Sequence, residues 1–163
     1  MKKILLMLFA VLTVSAASAQ IEKGTVLVGV NSAFSVTRSI PSTGSGSTDY
    51  NLNLKGGYFL AENFVLGLNL GVSGYSTDAS SGSSTLVGVF GRYYFNGKIF
   101  LGAGVNSSSS GGSSSTSIPL EVGYAAFINK FIAVEPAIRF VKYDNGSTIG
   151  LGVGFTFYLN RGE

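Results

Sequence analysis

Ile149-Gly150-Leu151-Gly152-Val153-Gly154-Phe155-Thr156-Phe157 places a bulky apolar residue at every second position, with only glycine and threonine between. Such alternation marks a strand whose two faces meet unlike surroundings. In a soluble sheet the second face would carry charge; here it carries almost no side chain. The design returns seven more times between turn signals. Val26, Val28, Val30, Phe34 and Val36 form the first run, and Tyr50, Leu52, Leu54 and Tyr58 the second. Phe64, Leu66, Leu68, Leu70 and Val72 point away from Gly67, Asn69, Gly71 and Ser73. Val87, Val89, Tyr93 and Phe95 alternate with Gly88, Phe90, Arg92 and Tyr94, and Ile99, Leu101, Ala103 and Val105 with Phe100, Gly102 and Gly104. The sixth run sets Ile118, Leu120, Val122 and Tyr124 against Glu121 and Gly123. The seventh sets Ile132, Val134, Ile138 and Phe140 against Ala133, Glu135, Ala137 and Arg139.

Composition decides which face is outside. Only 12% of the 163 residues are charged, about half the ~25% of ordinary soluble domains. There are 23 glycines, and the mean hydropathy is +0.38. A soluble barrel of this size would need charge over its exterior. Large aliphatics facing lipid, with small residues and a few charges facing a narrow lumen, fit the composition instead, since eight strands enclose room only for side chains or one small ligand. The expectation is an all-β chain: an eight-stranded antiparallel up-and-down transmembrane β-barrel, each run close to the ~9–11 residues a tilted strand needs to cross a bilayer. Closure leaves no unpaired backbone in hydrocarbon.

The first nineteen residues read differently. Lys2 and Lys3 precede the uncharged run Ile4 to Val14, and Ala17-Ser18-Ala19 supplies a small-x-small site. Eleven uncharged positions fall short of the ~20 of a spanning helix. Residues 1–19 are expected to be a cleaved signal peptide, leaving 20–163 as one outer-membrane domain with Gln20 at its start. Without Lys2 and Lys3 the 11 basic residues fall to nine, against eight acidic ones. The basic isoelectric point therefore gives no reason to expect a nucleic-acid partner. Cysteine and histidine are both absent, which excludes disulfides, thiolate metal sites and Ser–His chemistry.

Connections alternate. Ala61-Glu62-Asn63, Asn96-Gly97 and Ile128-Asn129-Lys130 are tight turns, whereas 40–48, 77–84, 106–115 and 142–147 read as longer Ser/Gly-rich loops. This asymmetry predicts periplasmic turns, extracellular loops and both termini on the periplasmic side. The Ser107–Ser117 stretch reads as low-complexity and mobile. Aromatics gather at the strand ends, Tyr58, Phe64, Tyr93, Phe95, Tyr124, Phe131, Phe155 and Phe157 near the turns and Phe34, Tyr50, Tyr75 and Phe140 near the loops, as two interfacial girdles. Pro136 falls inside a strand and predicts a local bulge, while Pro119 lies nearer a strand end.

With these residues in place the chain resembles the small outer-membrane β-barrel proteins related to the OmpA transmembrane domain and to OmpX. Gly57-Tyr58-Phe59-Leu60-Ala61-Glu62-Asn63-Phe64 looks like that family's strand–turn–strand step, and Val134-Glu135-Pro136-Ala137-Ile138 is similar to its Glu-Pro segment. Gly152, Phe155 and Phe157 lie in a stretch that resembles the C-terminal signal read by the barrel-assembly machinery. The resemblance implies a Gram-negative outer-membrane location. It also implies outer-membrane lipid and lipopolysaccharide as surroundings, and the assembly machinery as a partner during insertion. Two departures stand out: the chain continues through Asn160-Arg161-Gly162-Glu163, and no second, wall-gripping domain is expected.

Enzymes on related barrels, the lipid A palmitoyltransferases and deacylases and the omptin-type proteases, rely on histidine, so no catalytic role and no cofactor is expected. Lys55, Arg92, Glu121, Glu135 and Arg139 all fall on the inward parity. They read as a lumen charge network, which must be paired because buried charge is costly. Gly102-x-Gly104 and Gly150-x-Gly152-x-Gly154 follow no strand-then-helix context and carry no phosphate-loop meaning. The expected function is structural, with a side-chain-filled lumen supporting membrane integrity. Two alternatives stay open: a narrow channel for small solutes, sensitive to enlarging Gly104 or Gly152, and a surface-interaction protein meeting an extracellular partner through its Ser/Gly-rich loops.

Overall fold

The computed structural model describes residues 21–30, 35–39, 47–77 and 80–160. The signal segment, its cleavage site, Phe34, residues 40–46 of the first loop and the last three residues lie outside them. The strands are β1 (Val26–Val30), β2 (Ser35–Ser39), β3 (Ser47–Ala61), β4 (Phe64–Thr77), β5 (Ser81–Phe95), β6 (Ile99–Ser110), β7 (Ser113–Tyr124), β8 (Ala126–Phe127), β9 (Ile132–Tyr143) and β10 (Gly146–Leu159). Every pairing is antiparallel. β1 closes the barrel by pairing with both β10 and β3, and β2 continues the β1 position alongside β3. β8 continues the β7 position alongside β9. Ten segments thus make eight staves, in meander order.

The two faces separate as the alternation predicts. Leu68, Leu101 and Val87 are more than half exposed, at 56%, 55% and 57%. Among the described residues no charged side chain interrupts this outer band between the strand ends. A soluble monomer rarely exposes a contiguous apolar surface of this extent; lipid accounts for it. Along β4 the band runs from Phe64 to Val72, eight steps of ~3.3 Å. Tilted by ~40°, it is ~20 Å tall, near the ~25 Å of outer-membrane barrels.

The band stops abruptly at the loop end. Val87 gives way to Thr85 and Ser83, Val105 to Ser107 and Ser109, and Ile118 to Thr116 and Ser114 on the same outward parity. The strands do not stop there. The expected long loops at 77–84, 106–115 and 142–147 are instead mostly strand: Ser110 pairs with Ser113, Tyr143 with Gly146, and Ser76 with Ser81. The serine stretch is a paired hairpin and not a mobile loop. Gly111 and Gly112 turn it with φ of 55° and 82°, the double left-handed geometry of a two-residue hairpin turn. Serine composition masked this, because hydroxyl side chains pack no core yet leave the backbone ladder intact.

Neither proline behaves as expected. No bulge forms at Pro136, which pairs with Val153 in an unbroken register along β9 and β10. On its other side the ladder lapses between Gly123–Ala137 and Ala126–Val134 and resumes unshifted. Pro119 does the same to the β6–β7 ladder, between Ala103–Leu120 and Asn106–Ser117. Each removes one donor and nothing more. The register shift lies at Phe59–Ala61, beside the first tight turn. Tyr75 also departs from expectation: it sits on the inward parity, its ring over Gly82, so among the described residues the expected loop-end outer girdle is carried by Tyr50 and Phe140.

Candidate functional site: a stratified lumen

The inward faces form three layers. At the turn end Leu27, Phe59, Val65, Tyr94, Phe100 and Tyr158 are wholly buried and make a dry plug. Tyr94 is its hub, with ring centroids 5.7 Å from Phe59 and 5.6 Å from Phe100. The chain preceding β1 seals it. Ile21 is fully buried, its N–H donating to Asn63 Oδ1 at 3.0 Å while the Asn63 N–H donates to the Ile21 carbonyl at 2.9 Å. Asn63 takes a left-handed φ of 61° to do so, a conformation asparagine tolerates better than most residues. Leu27 and Ile21 were invisible as plug residues in the alternation, because one aliphatic on the small-residue parity carries no period of its own.

Above the plug lies the charge cluster. Lys55, Arg92, Glu121, Glu135 and Arg139 come from β3, β5, β7 and β9 and meet in the lumen. Arg92 is the centre. Its Nε and Nη2 donate to Glu121 Oε1 at 3.0 and 2.7 Å, and its Nη1 to Glu135 Oε2 at 2.7 Å. Nη1 also donates to the Tyr94 hydroxyl at 2.8 Å, and the guanidinium lies 3.9 Å over the Phe100 ring. Such charge-assisted, fork-shaped contacts suit a guanidinium better than an ammonium. Lys55 reaches Glu121 at 3.3 Å. The Tyr158 hydroxyl is 2.5 Å from Glu135 Oε1 and 3.0 Å from the Tyr94 hydroxyl. With one proton to give, it donates to the carboxylate and accepts from Tyr94. Sequence reasoning missed both tyrosines. Their inward parity was the available signal, but parity assigns a face and not a partner.

Arg139 differs from the other four. It approaches Glu121 only at 3.4 Å, and its side chain is 32% exposed. It stands between two cavities. One, of about 290 Å³, lies toward β10, between the cluster and Gly150–Gly154. The other, of about 250 Å³, occupies the loop-end half of the lumen. That third layer is a vestibule lined by the carboxamides of Asn51, Asn53, Asn69 and Asn106 and by Ser108 and Ser117. The inward glycines do not translate directly into free space, since several seat a neighbour: a Cβ at Gly71 or Gly88 would collide with the carboxamide of Asn53 or Asn106, and one at Gly102 with Glu121.

Gly152 is half-buried on the inner face, and Phe155 and Phe157 are exposed on the outer face near the turn end. With the barrel, its apolar belt and its filled lumen established, comparison with solved structures is decisive for the fold. The crystal structure of the N-terminal β-barrel domain of Pseudomonas aeruginosa OprF covers 86% of this chain and all of that domain, with TM-score 0.52 and 14% identity. The chain has the fold of the small outer-membrane β-barrels. OmpT, an outer membrane protein of Vibrio cholerae, covers 82% of this chain in its loop L8 deletion form, but only 49% of that chain at 15% identity and TM-score 0.40. That likeness is too loose to carry any argument. No protein-family model matches the sequence, and no curated protein does.

Proposed function

We propose that this chain is an integral outer-membrane protein with a structural, membrane-integrity role and a lumen that does not conduct. The observation that carries this reading is the turn-end plug. Six bulky side chains and Ile21 are fully buried there, directly beneath a paired charge cluster. A water path would have to cross both. Location rests on the uncharged aliphatic belt and on the likeness of fold. Val26 pairs with Leu159, so both ends of the barrel lie with the tight turns. This favours a periplasmic position for both termini, with the serine-rimmed hairpins toward lipopolysaccharide. Insertion by the barrel-assembly machinery through the segment around Gly152, Phe155 and Phe157 belongs to the same proposal.

The test is refolding of the mature chain into detergent micelles, gel migration with and without heating, and planar-bilayer recording on one sample. Heat-dependent migration with silent bilayers is the expected result. Discrete conductance steps would replace this reading with the narrow channel, and folding in plain buffer would overturn the membrane assignment itself.

A further inference from the structure

The vestibule goes beyond a structural role. It is blind at its inner end, where plug and charge cluster close the lumen, and it reaches the loop end at Ser108 and Tyr143. Its volume of about 250 Å³ is below the ~300–1,000 Å³ of drug-sized pockets, so a guest must be small. Its hydrogen-bonding groups are held in place before any guest arrives. Asn53 Nδ2 donates to Asn51 Oδ1 at 2.7 Å, and Asn69 Nδ2 to Asn106 Oδ1 at 3.2 Å. Asn53 and Asn106 are further fixed against Gly71 and Gly88. Each carboxamide has two N–H donors and an oxygen with two lone pairs, so these bonds leave spare donors and acceptors on side chains that line the cavity. Groups already ordered lose little entropy on binding.

The floor adds charge. Three cations and two carboxylates meet in the cluster, an excess of one positive charge. Arg92 lies below the vestibule, and Lys55 and Glu121 line it as a buried ion pair 3.3 Å apart, whereas Arg139, which also lines it, is partly exposed and holds Glu121 only at 3.4 Å. The excess is therefore presented to the cavity by Arg139. Asp49 lies on the same face of β3 but beyond the vestibule lining, at the solvated rim.

We propose that the vestibule binds a small hydroxylated carboxylate, of the sugar-acid class. Its carboxylate pairs with the Arg139 guanidinium, and its hydroxyls exchange hydrogen bonds with Asn51, Asn53, Asn69 and Asn106. A planar, bidentate guanidinium suits a carboxylate, and neutral amides suit hydroxyls that both give and accept.

The experiment is calorimetric titration of the refolded full mature barrel in micelles with D-glucuronate, D-glucose and acetate. Heat-dependent gel migration of each sample reports the barrel itself, so a failure to bind in a folded barrel counts against this proposal alone. Saturable glucuronate binding is expected, at least tenfold tighter than glucose or acetate. Arg139→Gln is expected to weaken it at least tenfold. Ser108→Tyr, which narrows the mouth outside the apolar belt and leaves the charges intact, is expected to produce a similar loss. Absence of glucuronate binding up to 10 mM (a ceiling of about 3 kcal/mol of binding free energy) overturns the proposal. So does equal affinity for glucose or for acetate, and so does undiminished binding in both variants.

Discussion

Gly88 faces Asn106 across the β5–β6 ladder, and a methyl group on Gly88 would occupy the space of the Asn106 carboxamide oxygen. The Val105 carbonyl crowds the same point at 2.6 Å, so moving the amide alone would not make room. Gly88→Ala is therefore expected to destabilise the barrel by about 1–3 kcal/mol through overpacking. Gly146→Ala, where nothing lies within 4 Å, is expected to stay within about 0.5 kcal/mol. Urea unfolding in detergent, followed by the loss of heat-dependent migration, compares the two.

Removing Arg92 separates the roles of the lumen cations. It holds both Glu121 and Glu135, and its loss leaves two buried carboxylates under-compensated. Arg92→Leu is expected to cost about 3–5 kcal/mol. Arg139→Leu breaks one 3.4 Å contact at a partly exposed side chain and is expected to cost below about 1 kcal/mol. Equal costs in the same urea assay would mean that Arg92 is not the organising charge.

Period-two alternation made the barrel legible because one residue per step is enough to assign a face. Thus Arg92, Glu121, Glu135 and Lys55 could be placed inside from parity alone. What parity cannot supply is height along the axis. It put Tyr94 inside without saying that its hydroxyl reaches Arg92, and it left Tyr158, which reaches Glu135, unplaced. Nor could it divide the lumen into plug, cluster and vestibule, since that division depends on the stagger between strands. Hydroxyl-rich composition misled at Ser107–Ser117 for a different reason. A hairpin needs only backbone pairing and a turn such as Gly111-Gly112, and neither requires apolar side chains.

The outer belt has edges that a charge scan can locate. Leu68 lies mid-belt at 56% exposure, so Leu68→Lys is expected to cost about 2–4 kcal/mol in lipid vesicles. Ser109 shares the outward parity but lies beyond the aliphatic boundary marked by Val105. Ser109→Lys is expected to change stability by less than about 0.5 kcal/mol. A similar cost at both positions, measured as folding free energy in the same vesicles, would remove the belt assignment.

Ile21 joins the barrel's closure to its N-terminal segment. Its side chain is fully buried, and its backbone exchanges two hydrogen bonds with Asn63, whose carbonyl in turn accepts from the Tyr94 N–H at 2.8 Å. Ile21→Ala leaves those backbone bonds in place and deletes only packing, with an expected cost of about 2–5 kcal/mol. Beginning the chain at Thr25 deletes both, and strands the buried Asn63 amide at a further cost of about 1–3 kcal/mol. If this segment is what seals the turn end, the shortened chain should also show raised, fluctuating conductance in planar bilayers, while Ile21→Ala should stay silent. A shortened chain that remains both silent and as stable as the full one would mean that Phe59, Tyr94, Phe100 and Tyr158 close the lumen without it.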